Sequence, residues 1–128
     1  MESTDTTVWN ATRGKLLLER VDRCASFLCR LRGLTFRRTL DDGEGLLLVG
    51  RGENRSNTAI HMFFVFFPIA AIWLDRNGRV VDTQLARPFH PLYVPCAPAQ
   101  DVLEGPPTLL EQVQPGDQLR FGGQAGEP

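Results

Sequence analysis

Apolar residues in this chain gather into short runs separated by polar, glycine-bearing or proline-bearing breaks, and one run dominates. Ile60–Asp75 reads I-H-M-F-F-V-F-F-P-I-A-A-I-W-L-D and holds four of the eight phenylalanines and one of the two tryptophans. If extended, Ile60–Phe67 places Ile60, Met62, Phe64 and Phe66 on one face and His61, Phe63, Val65 and Phe67 on the other. Both faces are apolar, which predicts a strand covered on both sides or set in the wall of a small barrel. Pro68 cannot donate to a ladder, so pairing breaks there and resumes at Ile69–Asp75. Arg76-Asn77-Gly78 then gives the clearest local signal, an Asn-Gly turn. The return strand is Arg79–Leu85, with Val81, Thr83 and Leu85 alternating against Asp82 and Gln84.

The rest of the chain is arranged around this hairpin. Residues 1–11 and 123–128 are polar and read as disordered flanks of a single domain over 12–122. Gly14–Arg20 (G-K-L-L-L-E-R) predicts a first strand, its three adjacent leucines implying burial on both faces. Asp22 is a candidate N-cap for a helix to about Arg32, with Cys24, Phe27, Leu28 and Leu31 on one side and Gly33 beyond its end. A short turn at Leu34–Leu40 follows and carries Arg37 and Arg38. Asp41-Asp42-Gly43 is a turn signal before a second strand, Gly45–Val49, and Gly50–Thr58 reads as a polar loop. Pro88, Pro91, Pro95 and Pro98 exclude regular structure from Arg87 to Pro98. Gln100–Glu104 reads as a strand and Thr108–Val113 as a helical turn capped by Thr108. Pro115-Gly116-Asp117 turns into a last strand, Gln118–Phe121. The predicted class is α+β, mainly β: a compact barrel-like antiparallel sheet with one early helix and a short late helical turn.

Composition adds limits. A chain of 128 residues suits one domain, and its 42% apolar and 23% charged residues are ordinary for a globular protein. A net charge of −1 gives no global field for nucleic acid or acidic substrates. Locally, Arg13–Arg38 carries eight basic residues against Glu19 and Asp22, read as a solvated face or an anion site. Cys24, Cys29 and Cys96 match no zinc or redox spacing and are expected as free, mostly buried thiols in a reducing compartment. The N-terminus has no basic-then-apolar leader pattern, so a cytoplasmic location is expected. Ala59–Leu74 contains His61 and Pro68 and falls short of the ~20 apolar residues a spanning helix needs.

Several pieces in order resemble the domain of unknown function 192 family. They are R-x-R-G-L-x-F-R-R-x-L at Arg30–Leu40, G-x-L-L-V at Gly45–Val49, and I-H-M-x-F-V-x-F-P-I at Ile60–Ile69. The series continues with L-D-x-x-G-x-V-V ending at Val81, V-L-E at Val102–Glu104 and P-G-D at Pro115–Asp117. The resemblance spans Lys15–Phe121 and implies a small β-rich, barrel-like α+β domain. It brings no reaction, cofactor or catalytic residue with it. Two positions depart from the family pattern: Ala70 where members usually carry Asp, and Phe66 where many carry a basic or polar residue.

Candidate chemistry is sparse. His61, inside the apolar run, could serve as a general acid or base, but with no carboxylate or cysteine near it in sequence a hydrogen-bonded core or strand-end histidine is the favoured reading. Glu104 ends a strand and could face a cleft. Arg37 and Arg38 are candidate ligands for carboxylate or phosphate; alternatively Arg37 pairs with Glu104 to pin the helix to the barrel. His90 lies in the proline-rich connection, and no spacing supports a metal site. Asp75 and Asp117 suit bonds to local turn backbone. No nucleophile elbow, phosphate loop or dinucleotide fingerprint is present, and no cofactor is implied. The leading expectation is a non-catalytic binding or accessory module for a protein or a small anionic ligand. The alternative is an anion-binding enzyme or sensor using the arginine pair with His61 or Glu104. Nucleic-acid binding ranks last, because the aromatics are not interleaved with the arginines.

Overall fold

The computed structural model describes residues 6–24, 40–54, 58–62 and 64–122. Seven strands form one curled sheet: β1 (Thr6–Asn10), β2 (Lys15–Cys24), β3 (Glu44–Asn54), β4 (Ile69–Leu74), β5 (Val80–Ala86), β6 (Ala99–Gly105) and β7 (Leu119–Phe121). Their order across the sheet is β5-β4-β6-β3-β2-β1-β7. The two edges approach at one corner, where Arg79 and Gln118 form an isolated bridge and Val80 N–H donates to the Asp117 carbonyl at 2.8 Å. The result is a half-barrel. It is mixed rather than wholly antiparallel, since β2 and β3 run parallel.

The central apolar run splits at Pro68, as expected, but only its second half is a strand. β4 is buried along its whole length because it lies between β5 and β6 and both of its faces are covered. Ala70, Ile72 and Leu74 enter the inner core with Leu18, Val21, Leu47 and Leu103, while Ala71 and Trp73 enter an outer core with Leu46 and Val102. The Asn-Gly turn forms as read: Gly78 sits at φ 81° and its N–H donates to the Asp75 carbonyl at 3.0 Å.

Several expectations are corrected. The described residues of Ile60–Phe67 form no strand: beyond one bridge from Ile60 to Tyr93 they carry no ladder pairing. The run's apolar content reflects burial of Ile60, Met62 and Val65 against the sheet rather than ladder pairing. Thr6–Asn10 is not a disordered flank but β1, paired with both β2 and β7. Asp22 is not a helix cap, because β2 continues through Cys24; the rest of the expected early helix lies in 25–39, outside the described residues. β3 runs on to Asn54 through an irregular stretch that the sequence presents as a polar loop. The late helical turn is a 3-10 turn at Pro107–Glu111 with Pro106 at its cap position and no side-chain cap bond, so Thr108 does not cap it. Among the described residues no helix is long and apolar enough to cross a membrane.

Cysteine chemistry also differs from expectation. Cys24 is buried in the outer core and disulfide-bonded, whereas Cys96 is a free, exposed thiol. The premise for a reducing compartment, three free thiols, therefore falls.

Candidate functional site

The outer face of the sheet is covered by two loops, residues 58–68 and 87–98, and these are tied to each other. Ile60 and Tyr93 exchange backbone bonds of 2.9 and 2.8 Å, Met62 N–H donates to the His90 carbonyl at 2.9 Å, and Phe89 N–H donates to the Met62 carbonyl at 2.8 Å. Trp73 Nε1 donates to the Thr58 carbonyl at 2.7 Å, pinning the first loop to β4. Asp82 on β5 anchors the second: its Oδ2 accepts from Cys96 N–H and Gln84 Nε2, both at 2.9 Å, and the same Gln84 Nε2 donates to the Val94 carbonyl. Tyr93 Oη accepts from Arg87 N–H at 2.9 Å, and the Tyr93 ring stacks against His90 with centroids 4.5 Å apart.

Four large apolar side chains stand out from this frame. Phe64, Phe66, Phe89 and Leu92 are 50%, 50%, 48% and 55% exposed. Phe89 meets Phe64 edge-on at 6.0 Å and Phe66 edge-on at 5.5 Å, so the rings form one cluster across both loops. Phe64 and Phe89 hold φ values of 59° and 63°, the positive-φ non-glycine positions among the described residues. Left-handed backbone costs a residue with a Cβ about 1–2 kcal/mol. This fold spends that energy to keep two phenylalanines in water. Phe66, where the family pattern favours a basic or polar residue, lies in the same cluster. The sequence signal was an excess of phenylalanine between Phe63 and Phe67, more than one buried face could absorb.

Glu104 lies on the same outer face, beneath the cover. On β6 it is flanked in register by Leu46 of β3 and Ala71 of β4, and the row extends to Asp22 of β2 and Gln84 of β5. It is 5% exposed, and burial pushes its carboxyl pKa up to about 7. Among the described residues no hydrogen bond or charge offsets that burial. Its carboxyl is therefore largely withdrawn from solvent.

His61 is half-buried beside the Ile60–Tyr93 bridge. Arg37 and Arg38 lie outside the described residues. Ala70 is fully buried in the inner core, so this chain has no carboxylate where the family usually carries one. Among the described residues no group of three His, Cys, Asp or Glu side chains could hold a metal ion. Asp117 is buried near the turn where the sequence places it, accepting from Gln114 N–H at 3.1 Å and from the distant Asn10.

Comparison with known proteins agrees with the fold. The model of the DUF192 family, described as uncharacterized, matches residues 8–121. A UPF0127 protein of Thermococcus kodakarensis is 39% identical over 114 residues, covering 88% of this chain and 71% of the relative. One from Pyrococcus furiosus is 34% identical over 114 residues, covering 88% of this chain and 95% of the relative. A crystal structure of a protein of unknown function from Novosphingobium aromaticivorans superposes with a TM-score of 0.77 at 21% identity, covering 91% of this chain and 84% of that one. Another, described as a proposed transcription regulator from Sinorhizobium meliloti, gives 0.79 at 21% identity over 91% of each chain. At that identity the likeness is one of fold alone.

Proposed function

Because this chain belongs to the DUF192 family, which brings no reaction with it, we propose from its own geometry that it is a non-catalytic binding module. Its recognition surface is the cluster of Phe64, Phe66, Phe89 and Leu92. One observation carries this reading: the two phenylalanines in left-handed backbone are the same two whose rings meet, half exposed, across the paired loops. Strain of that kind persists where the surrounding structure enforces it, and it gathers at binding sites. Fully burying a side chain of this size contributes about 1.5–3 kcal/mol, so an apolar partner would gain substantially from covering four that start half exposed.

A second reading has one observation in its favour. Burial raises the Glu104 pKa to about 7, which suits a general acid, but the side chain is almost wholly withdrawn from solvent. The binding reading needs no access to it.

The test uses the dye 1-anilinonaphthalene-8-sulfonate as a probe of apolar sites on the folded chain. Saturable fluorescence enhancement under native conditions is expected, and the Phe66→Ser, Leu92→Ser double variant should lose it while keeping its near-UV circular dichroism. Equal dye binding by wild type and variant would overturn the proposal.

A further inference from the structure

We propose that the aromatic loop pair docks on an anionic phospholipid bilayer surface, with Phe64, Phe66, Phe89 and Leu92 entering the acyl boundary and Arg87 and His90 at headgroup level. This inference rests on the reading of the cluster as a binding surface and assigns its partner.

Charge is the first argument. The chain has 15 acidic residues, yet loops 58–68 and 87–98 contain none; their ionisable side chains are His61, Arg87, His90, Tyr93 and Cys96. Arg87 and His90 are both exposed, beside the exposed Phe89. With an overall charge of −1, these two loops are nonetheless free of acids, as approach to anionic headgroups requires.

The second argument separates a bilayer from a protein partner. Protein interfaces surround their apolar centre with a polar rim that carries hydrogen bonds. Here the exposed positions of the two loops are phenylalanine, leucine and proline, with Arg87, His90 and the Cys96 thiol. No exposed Ser, Thr, Asn, Gln, Asp or Glu occurs among the described residues of either loop. The described residues of the two loops thus supply no polar rim of their own, and suit an interface with apolar tails below and phosphates above.

Backbone chemistry supplies the third. Peptide N–H groups taken toward hydrocarbon must be paired. In these loops Pro68, Pro88, Pro91, Pro95 and Pro98 have no N–H, and those of Met62, Val65, Phe89, His90 and Tyr93 all donate within the pair. Desolvating the paired part of the two loops therefore leaves these donors satisfied.

Flotation of the full chain with vesicles of equal phosphatidylglycerol and phosphatidylcholine, against phosphatidylcholine alone, tests the proposal. Partition is expected onto the anionic vesicles, lost about a hundredfold in the Phe66→Ser, Leu92→Ser double variant. Arg87→Glu, with folding checked by circular dichroism, should cost about tenfold and remove the preference for anionic lipid. No flotation of the wild type, or equal flotation of the double variant, overturns it. The dye separates the two failures: dye binding without flotation leaves a binding surface whose partner is a protein or a second copy, whereas loss of both removes the surface itself.

Discussion

Asn10 and Asp117, 107 positions apart, meet in the interior: Asn10 Nδ2 donates to Asp117 Oδ2 at 2.8 Å and to the Gln112 carbonyl at 3.0 Å. The same Asp117 oxygen accepts from Gln114 N–H at 3.1 Å and lies 3.2 Å from Arg13 Nε. One carboxylate thereby joins β1, the turn after it and the approach to β7 at the corner where the sheet edges meet. Asp117→Ala leaves Asn10 short of a partner and is expected to cost about 2–4 kcal/mol, read from urea unfolding at pH 7.

Acid should act on the same knot. Burial raises the Asp117 pKa, but bonds from Asn10 and Gln114 and the Arg13 charge outweigh it, leaving the carboxyl below 3.8. A depressed carboxyl contributes stability that is present above its unfolded pKa and lost as pH falls through its folded one. Wild type should therefore lose stability as pH falls below 3.8, and Asp117→Asn should lose less across that window while starting lower.

Glu104 has the opposite sign. Burial lifts its pKa from 4.5 to about 7, so folding favours the protonated form. Its cost is absent below pH 4.5, grows as pH rises toward 7, and is constant above. Wild type is expected to be about 2–3 kcal/mol less stable at pH 8 than at pH 5 on this account. Glu104→Gln should flatten that slope; an unchanged slope in denaturant titrations at the two pH values would refute the assignment.

Gly50 marks the place where β3 becomes irregular. A Cβ there would overlap the Gln100 carbonyl oxygen, a backbone atom that cannot rotate away, while Gly50 N–H donates to Asp101 Oδ1 at 3.1 Å. Gly50→Ala is expected to destabilise by about 3 kcal/mol, seen as a lower urea midpoint.

Phe64 and Phe89 should show a trade of stability for function. Replacing either by Gly relieves the left-handed backbone and is expected to raise stability by about 1 kcal/mol even as ring contacts are lost. Both variants should bind the dye less well, measured alongside thermal unfolding.

The candidate site was only half legible in the sequence. His61 and Glu104 were marked as polar residues beside apolar runs, and Glu104 proves the more unusual, because the register placing it between Leu46 and Ala71 sets its burial. The aromatic cluster was missed. A run in which every residue is apolar has no period from which to tell which phenylalanines face out, and loop 87–98, which supplies Phe89, is distant in sequence.

What the sequence determined by itself was local. The Asn77-Gly78 turn, the buried β4, the proline-bound connection and the strands on either side of 107–111 follow from turn chemistry, apolar runs and missing N–H donors, all of which act over a few residues. Tertiary structure decided the rest. Thr6–Asn10 carries little apolar signal and becomes a strand because β2 and β7 both offer ladder partners, and the parallel pairing of β2 with β3 is a relation between strands that neither run specifies alone. The dominant apolar run divided according to partner supply: Ile69–Leu74 found strands on both sides, while among the described residues Ile60 and Met62 pair with the loop that carries Tyr93. Apolarity specifies that a segment is to be covered; which backbone meets its hydrogen bonds, and which side chains remain outside, is settled only when distant parts of the chain come together.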